Sequence, residues 1–251
     1  MAHLGQSEDK SEDKSEDKRE DKRCAVALII PAAGSGTRFG GDRPKQFLTL
    51  AGRPILARTL EAFAGLVDRA WLAVNPAWHD EVIAIAAQAP FPCTVVTGGV
   101  SRQDSVYAAL RAVDDDCDRI LVHDAVRPLV PRHCISACLA ALNVTPGAVV
   151  AVPCAATIKR ASATNTITKT VAREHLWLAQ TPQGFRRSDG LLAFATAQRD
   201  GFQGTDDVQL LERLGLSVTL VTGDARNLKL TTPDDLAVAE ALMREPVVLA
   251  R

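Results

Sequence analysis

The chain has 251 residues, 47% hydrophobic and 24% charged, with 29 Lys+Arg against 30 Asp+Glu and a formal net charge of −1. Those figures describe an ordinary globular protein long enough to bury a sizeable core, and they exclude a strongly basic nucleic-acid binder. Aromatics at 4% leave few platforms for stacking on single strands, and no apolar run approaches the roughly 18 residues of a membrane-spanning helix.

The first 23 residues stand apart. Residues 7–18 are Ser-Glu-Asp-Lys three times over, followed by Arg-Glu-Asp-Lys at 19–22. Eight acids and six bases give this stretch −2 and leave about +1 for the rest. With almost nothing apolar to bury, it cannot offset its ordering entropy and is expected to be disordered. It has no apolar core of a secretory signal and is too acidic for a transit peptide, so it reads as an expression artefact or a solubilising tail. Residues 24–251 are then the functional domain. Six cysteines, at 24, 93, 117, 134, 138 and 154, contain no Cys-x-x-Cys pair. They read as reduced thiols of a cytoplasmic protein. His133, Cys134 and Cys138 lie close together, but no second ligand pair completes a zinc site.

Taken in order, residues 27–31 are a buried strand that ends in a glycine-rich loop, and 54–66 have helical spacing. A strand at 69–75, a helix at 78–88 and a strand at 93–97 follow. Next come a helix at 105–113, a strand at 119–122, a helix at 131–142 and a strand at 148–152. Residues 157–160 and 166–171 alternate polar and apolar side chains around turn chemistry at 162–165, which predicts a hairpin. Near the end stand a helix at 206–214, a strand at 217–221 and a helix at 233–243 capped by Thr231 or Thr232. Strands alternating with helices predict an α/β fold, a doubly wound and mostly parallel sheet with its ligand beyond the strands' carboxyl ends. The hairpin, an arm over about 154–174, is expected to project and to need a partner, hence a homodimer. The alternative is a hairpin folded back on its own subunit.

The most informative stretch is Pro31-Ala-Ala-Gly-Ser-Gly-Thr-Arg-Phe-Gly-Gly-Asp-Arg-Pro-Lys-Gln46. Small residues after a strand let backbone N–H groups approach an anion. A dinucleotide fingerprint would need glycine where Phe39 stands, and the Gly-Lys-Ser/Thr of a P-loop is absent. Instead Arg38 and Lys45 follow the glycines, a forked cation and a point charge beside a phosphate cradle.

Four further motifs share the chain with it: Gly98-Gly-Val-Ser-Arg-Gln-Asp-Ser-Val106, Val122-His-Asp-Ala-Val-Arg-Pro128, Leu176-Trp-Leu-Ala-Gln-Thr-Pro-Gln-Gly-Phe185, and Gly204-Thr-Asp-Asp207 with Asn227-Leu-Lys229 downstream. In this order they resemble the methylerythritol phosphate cytidylyltransferases of the non-mevalonate isoprenoid pathway. The resemblance implies a Rossmann-like nucleotidylyltransferase that uses CTP, the polyol phosphate and Mg²⁺ and releases pyrophosphate. It gives Arg38 and Lys45 the stabilisation of the pentacoordinate α-phosphate. Gly98, Gly99 and Ser105 take the cytosine, and Ala32, Ala33, Gly34, Gly36 and Ala125 line the nucleotide site. Asp124 lies at the metal and the nucleotide, holding Mg²⁺ directly or through water. Arg127, Thr157 and Thr205 face the acceptor. Arg173 and Lys229 position the attacking phosphate, with Thr157 and Arg173 reaching across a dimer interface. Ser105 alternatively serves as a helix N-cap, and Thr205 and Asp206 cap the helix after them. A cytidylyltransferase for another polyol phosphate, such as ribitol 5-phosphate, shares the CTP-side motifs. A nicotinamide-dependent dehydrogenase is disfavoured by the missing third glycine.

Overall fold

A strand buried on both faces belongs inside a parallel sheet, and Ala-Val-Ala-Leu-Ile-Ile-Pro-Ala is such a strand, β1 (Ala25–Ala32). The protein is described here from a computed structural model covering residues 25–34 and 43–244. The expected tail, Gly36 and Arg38 lie outside the described residues. After β1 come the short pair β2 (Thr49–Leu50) and β3 (Arg53–Pro54), then α1 (Ile55–Ala62), β4 (Arg69–Val74), α2 (His79–Ala86), β5 (Cys93–Thr97) and α3 (Arg102–Ala112). The chain continues through β6 (Cys117–Val122), α4 (Arg132–Ala141), β7 (Gly147–Pro153), the arm strands β8 (Ile158–Ala161) and β9 (Ile167–Val171), and β10 (Trp177–Arg186). It ends with α5 (Arg187–Arg199), α6 (Val208–Arg213), β11 (Val218–Thr222) and α7 (Pro233–Arg244).

Seven strands form one sheet in the order β11-β7-β10-β6-β1-β4-β5. Neighbours pair in parallel except β10, which runs antiparallel between β6 and β7. The expected doubly wound, mostly parallel sheet is therefore present. Because side chains alternate across a strand, β1 sends Val26, Leu28 and Ile30 to a core shared with α1, α2, α4 and α7. It sends Ala27 and Ile29 to a second core under α3, α5 and α6. The chain turns one way from β1 to β4 and β5 and the other way to β6. The crevice beyond the carboxyl ends of β1 and β6 is thus a switch point of the winding.

Four elements escaped the sequence reading: the two-residue strands β2 and β3, and β10 and α5. Pro182 and Gly184 are unusual inside a sheet, but the register between β10 and β7 shifts from Ala179 to Gln183, which accommodates Pro182. At Gly184 a Cβ would come within 3.0 Å of Leu121 and Leu142. Several helices are shorter than expected. α1 stops at Ala62, before Gly65 at φ 71°. α3 instead starts earlier, on a capping box of Ser101 and Asp104. Ser101, not Ser105, is therefore its N-cap, because only a residue before the helix can turn its oxygen onto the first-turn N–H groups. At α7 the roles reverse: Asp235 Oδ2 accepts from the Thr231 and Thr232 N–H groups and from the Thr231 hydroxyl.

β8 and β9 form the expected hairpin, a separate two-stranded sheet with Ile158 opposite Val171 and Asn165 at φ 58° in its turn. It lies open over nearly its whole length rather than folded back on its own subunit, with Ile167 62% exposed. Beside it Trp177 and Leu178 of β10 are also exposed.

Among the described residues no helix is long and apolar enough to cross a membrane, and no cluster of three or more His, Cys, Asp or Glu side chains could hold a metal. Cys93, Cys117, Cys134, Cys138 and Cys154 are free thiols. Burial pushes Cys138 up to about 12.

Phe185 sits fully buried against Phe194, where β10 gives way to α5. Phe185→Ala should lower the unfolding free energy by about 3–5 kcal/mol, the usual cost of such a cavity. Urea denaturation followed by circular dichroism measures it, and a loss under about 1 kcal/mol would mean that the second core does not depend on this ring.

Candidate active site

The ends of β1, β5 and β6 deliver three loops to one cavity of about 340 Å³, within the range of small-molecule sites. From β1 come Ala32, Ala33 and Gly34, and from the short turn after the loop, Lys45 and Gln46. The Gln46 amide donates to the Ala32 carbonyl at 2.8 Å, tying that turn to the end of β1.

From β5 comes the segment Gly98–Ser105. Gly98 N–H donates to the Val74 carbonyl at 2.8 Å, and a Cβ on Gly98 would lie 2.5 Å from the Ala33 Cβ. At Gly99 a Cβ would meet Asp104 at 2.3 Å. Neither position has room for a larger residue. Ser105 is buried, accepts from Gly99 N–H at 3.1 Å and donates to the Ser101 carbonyl at 2.9 Å. It staples the loop to the first turn of α3.

From β6 comes Asp124, buried, with three cations on its carboxylate. Lys229 Nζ lies 3.0 Å and Arg127 Nε 3.1 Å from Oδ2, and Arg102 Nε lies 3.4 Å from Oδ1. Burial alone would raise this acid, but Arg102, Lys229 and Arg127 together outweigh it and hold the carboxyl well below its usual range. Arg102 also forks onto Asp207, with both contacts at 2.8 Å.

Behind Asp124 runs a chain of hydrogen bonds with one consistent polarity. The Asp124 N–H donates to Thr181 Oγ1 at 3.1 Å. Thr181 Oγ1 lies 3.0 Å from His123 Nδ1, and His123 Nε2 lies 3.1 Å from the Arg127 carbonyl. A carbonyl only accepts, so Nε2 carries the proton, and Nδ1 accepts from the threonine hydroxyl. The imidazole is neutral in this arrangement.

The cavity wall unites the expected residues Ala32, Ala33, Gly34, Lys45, Gly99, Ser105, Asp124, Ala125 and Lys229. Gly98 lies just behind it. Arg127 is turned inward, onto Asp124 and, through Nη1, onto the Asn227 carbonyl at 2.7 Å. Thr157 and Arg173 sit exposed at the base of the arm, where Arg173 Nη1 donates to the Ala155 carbonyl. Thr205 is exposed, and its N–H donates to Gln209 Oε1 at 2.7 Å. Asp206 caps α6 by accepting from the Gln209 N–H, whereas Thr205 makes no such bond to the helix backbone. The sequence reading missed Gln46, Arg102, His123, Thr181 and Asp207 as parts of the site. All five stand inside the quoted motifs, but no spacing rule shows that Arg102 and Asp207 meet.

A family model described as 2-C-methyl-D-erythritol 4-phosphate cytidylyltransferase matches residues 26–245. A relative of the same description from Symbiobacterium thermophilum is 44% identical over 222 residues, covering 88% of this chain and 93% of that protein. Another from Deinococcus radiodurans is 47% identical over 217 residues, 86% of this chain and 89% of its own. The crystal structure of 2-C-methyl-D-erythritol 4-phosphate cytidylyltransferase from Thermus thermophilus, 35% identical, superposes with a TM-score of 0.73 over 88% of this chain and 100% of that one.

Burial pushes His123 down from 6.5 to about 4. The unfolded chain therefore binds a proton that the folded one refuses. The stabilisation is complete above pH 6.5 and is lost as pH falls toward 4, by about 3 kcal/mol. Urea midpoints at pH 7 and 4.5 should show a fall that His123→Gln reduces, since Gln keeps one donor and one acceptor without titrating. Equal falls in both proteins would show that His123 is not the group responsible.

Proposed function

The chain belongs to the 2-C-methyl-D-erythritol 4-phosphate cytidylyltransferase family, and on that footing we propose how its cleft carries out the reaction. The chain transfers a cytidylyl group from CTP to 2-C-methyl-D-erythritol 4-phosphate by in-line attack on the α-phosphorus, giving 4-diphosphocytidyl-2-C-methyl-D-erythritol and pyrophosphate. Phosphoryl chemistry of this kind asks the protein for position and charge rather than for a covalent partner.

The observation that carries the assignment of roles is the meeting of Lys45, Lys229 and Asp124 with a tightly wound glycine loop at the switch point of the sheet. The main chain of the Gly98–Ser105 segment reads the cytosine, with Ser105 holding its shape, and Ala32 and Ala33 leave room for the base. Arg38 and Lys45 meet the negative charge that grows on the α-phosphate and the departing pyrophosphate. Lys229 positions the attacking phosphate. Arg127 acts on the acceptor side by fixing the segment that carries Lys229, through its bond to the Asn227 carbonyl. Thr205 takes part from the same side.

Mg²⁺ takes oxygen ligands and commonly relies on one or two carboxylates plus substrate phosphates and water. Asp124 is the one acid on the described cavity wall, and its Oδ1 has a single 3.4 Å contact from Arg102 among the described residues. That donor set fits the ion, which Asp124 would hold directly or through water. Held there, the ion would supply neutralisation of charge on the triphosphate.

The functional unit in this proposal is a homodimer in the cytoplasm. An open arm with exposed Ile167, Trp177 and Leu178 calls for a cover. Thr157 and Arg173 lie off the cavity wall of their own chain, and in the dimer they reach the acceptor phosphate in the partner's site.

A pyrophosphate-release assay with CTP and a panel of polyol phosphates tests the reading. Methylerythritol phosphate should be the preferred acceptor, and preference for ribitol 5-phosphate would refute it. CTP should be preferred to UTP by about a hundredfold, as two hydrogen bonds to the base edge would give. Lys45→Ala should lower kcat about 10²–10³-fold with the circular dichroism spectrum intact, and retained turnover would remove Lys45 from this role. Mixing Arg38→Ala with Arg173→Ala subunits should restore part of the activity that each variant lacks alone. Failure to do so would argue that each site draws on one chain only.

A further inference from the structure

Arg102 is the first residue of α3, at the end of a helix where a cation is electrostatically disfavoured. Something must hold it there. Both its Nη atoms contact the Asp207 carboxylate at 2.8 Å, and Asp207 is 1% exposed. The remaining donor, Nε, points to Asp124 Oδ1 at 3.4 Å. The fork is thus committed to a buried acid, although Arg102 lines the cavity.

Asp207 is itself fixed. Gln183 of β10 accepts from the Asp207 and Val208 N–H groups at 2.9 and 3.1 Å and donates to Asp206 at 3.0 Å. One side chain therefore joins three segments: the loop entering α3, the loop leaving β6 at Asp124, and the start of α6 with its anchor in the sheet.

We propose that Arg102 is a positioning residue for the nucleotide: clasped by Asp207, it holds the loop around Gly98–Ser105 and the Asp124 carboxylate in one fixed relation. This clasp sets the affinity for CTP and not that for the acceptor. The inference rests on the reading that this cleft holds CTP. A lysine at 102 keeps the charge but is a single point donor, and cannot fork onto Asp207 while reaching Asp124. Asp207→Asn keeps the shape and removes the charge. Asp207 does not line the cavity, so any effect of that variant on CTP must travel through Arg102.

The test is steady-state kinetics of Arg102→Lys, Asp207→Asn and the double variant, with CTP and methylerythritol phosphate varied in turn. Each single variant should raise the CTP KM about tenfold, the equivalent of one charge-assisted hydrogen bond, and leave the acceptor KM unchanged. The double variant should resemble the singles, because both break the same clasp. A merely structural role would lower kcat with the folded fraction and leave both KM values alone, and that result overturns the proposal. So does an unchanged CTP KM in Asp207→Asn beside a raised one in Arg102→Lys, which would mean that Arg102 touches the nucleotide directly. KM is independent of how much of a preparation is folded, so partial unfolding does not obscure the outcome. Wild-type protein with no CTP turnover would overturn the reading of the cleft itself. Wild-type turnover with unaltered variants overturns the clasp alone.

Discussion

One buried carboxylate, shared among three cations, organises the site. Asp124 alone cannot neutralise Arg102, Arg127 and Lys229, and although Asp207 takes up Arg102, an excess of positive charge remains among these described residues. Lys45 stands on the same wall. Leaving like charges together is costly at low dielectric, so the arrangement is incomplete until an anion enters. A triphosphate supplies what the protein withholds. The acid's part is to hold cations at fixed separations that their own repulsion would otherwise widen.

The sheet makes that arrangement rigid. Each partner of Asp124 comes from a different part of the chain: Arg102 from the start of α3, Lys229 from the segment after β11, and Arg127 from the loop after β6. β10, which runs antiparallel in the otherwise parallel seven-stranded sheet, ties them together from below. Thr181 accepts from the Asp124 backbone, Gln183 anchors Asp207, and the Gln180 side chain and Thr181 carbonyl accept from Asn227 Nδ2. Without this strand the loops of the site would share only parallel neighbours whose ends they extend. With it, they share a common floor.

Much of this was legible in the residues. The alternation of apolar runs and helical spacing carried the parallel sheet, and the arm declared itself by β-branched alternation around a turn. Nine expected residues meet on the cavity wall because the winding of the sheet brings together the ends of β1, β5 and β6, the turn at Lys45, the first turn of α3 and the segment after β11. What stayed hidden has physical causes. β10 carries Pro182 and Gly184, which work against a strand until a register shift and a tight approach to Leu121 make them fit. Arg102 and Asp207 are 105 positions apart, and a salt bridge across that separation leaves no local pattern. Ser105 looked like a cap because serine starts helices, but Ser101 precedes it with Asp104 at the right distance. Thr157 and Arg173 stand apart from the wall because they lie at the base of the arm, and Thr205 because it turns onto Gln209.

At Gly99 the main chain is wound so closely on Asp104 that no other residue fits, whereas the next side chain, Val100, points fully into solvent. The two neighbours divide the labour of heredity between them. Contacts made by peptide groups survive almost any exchange of side chain, so position 100 can change character and alter the outer surface of the lip without altering the shape beneath it. The geometry instead rests on the absence of an atom at position 99. A lineage can repaint this rim freely, but cannot rebuild it one substitution at a time.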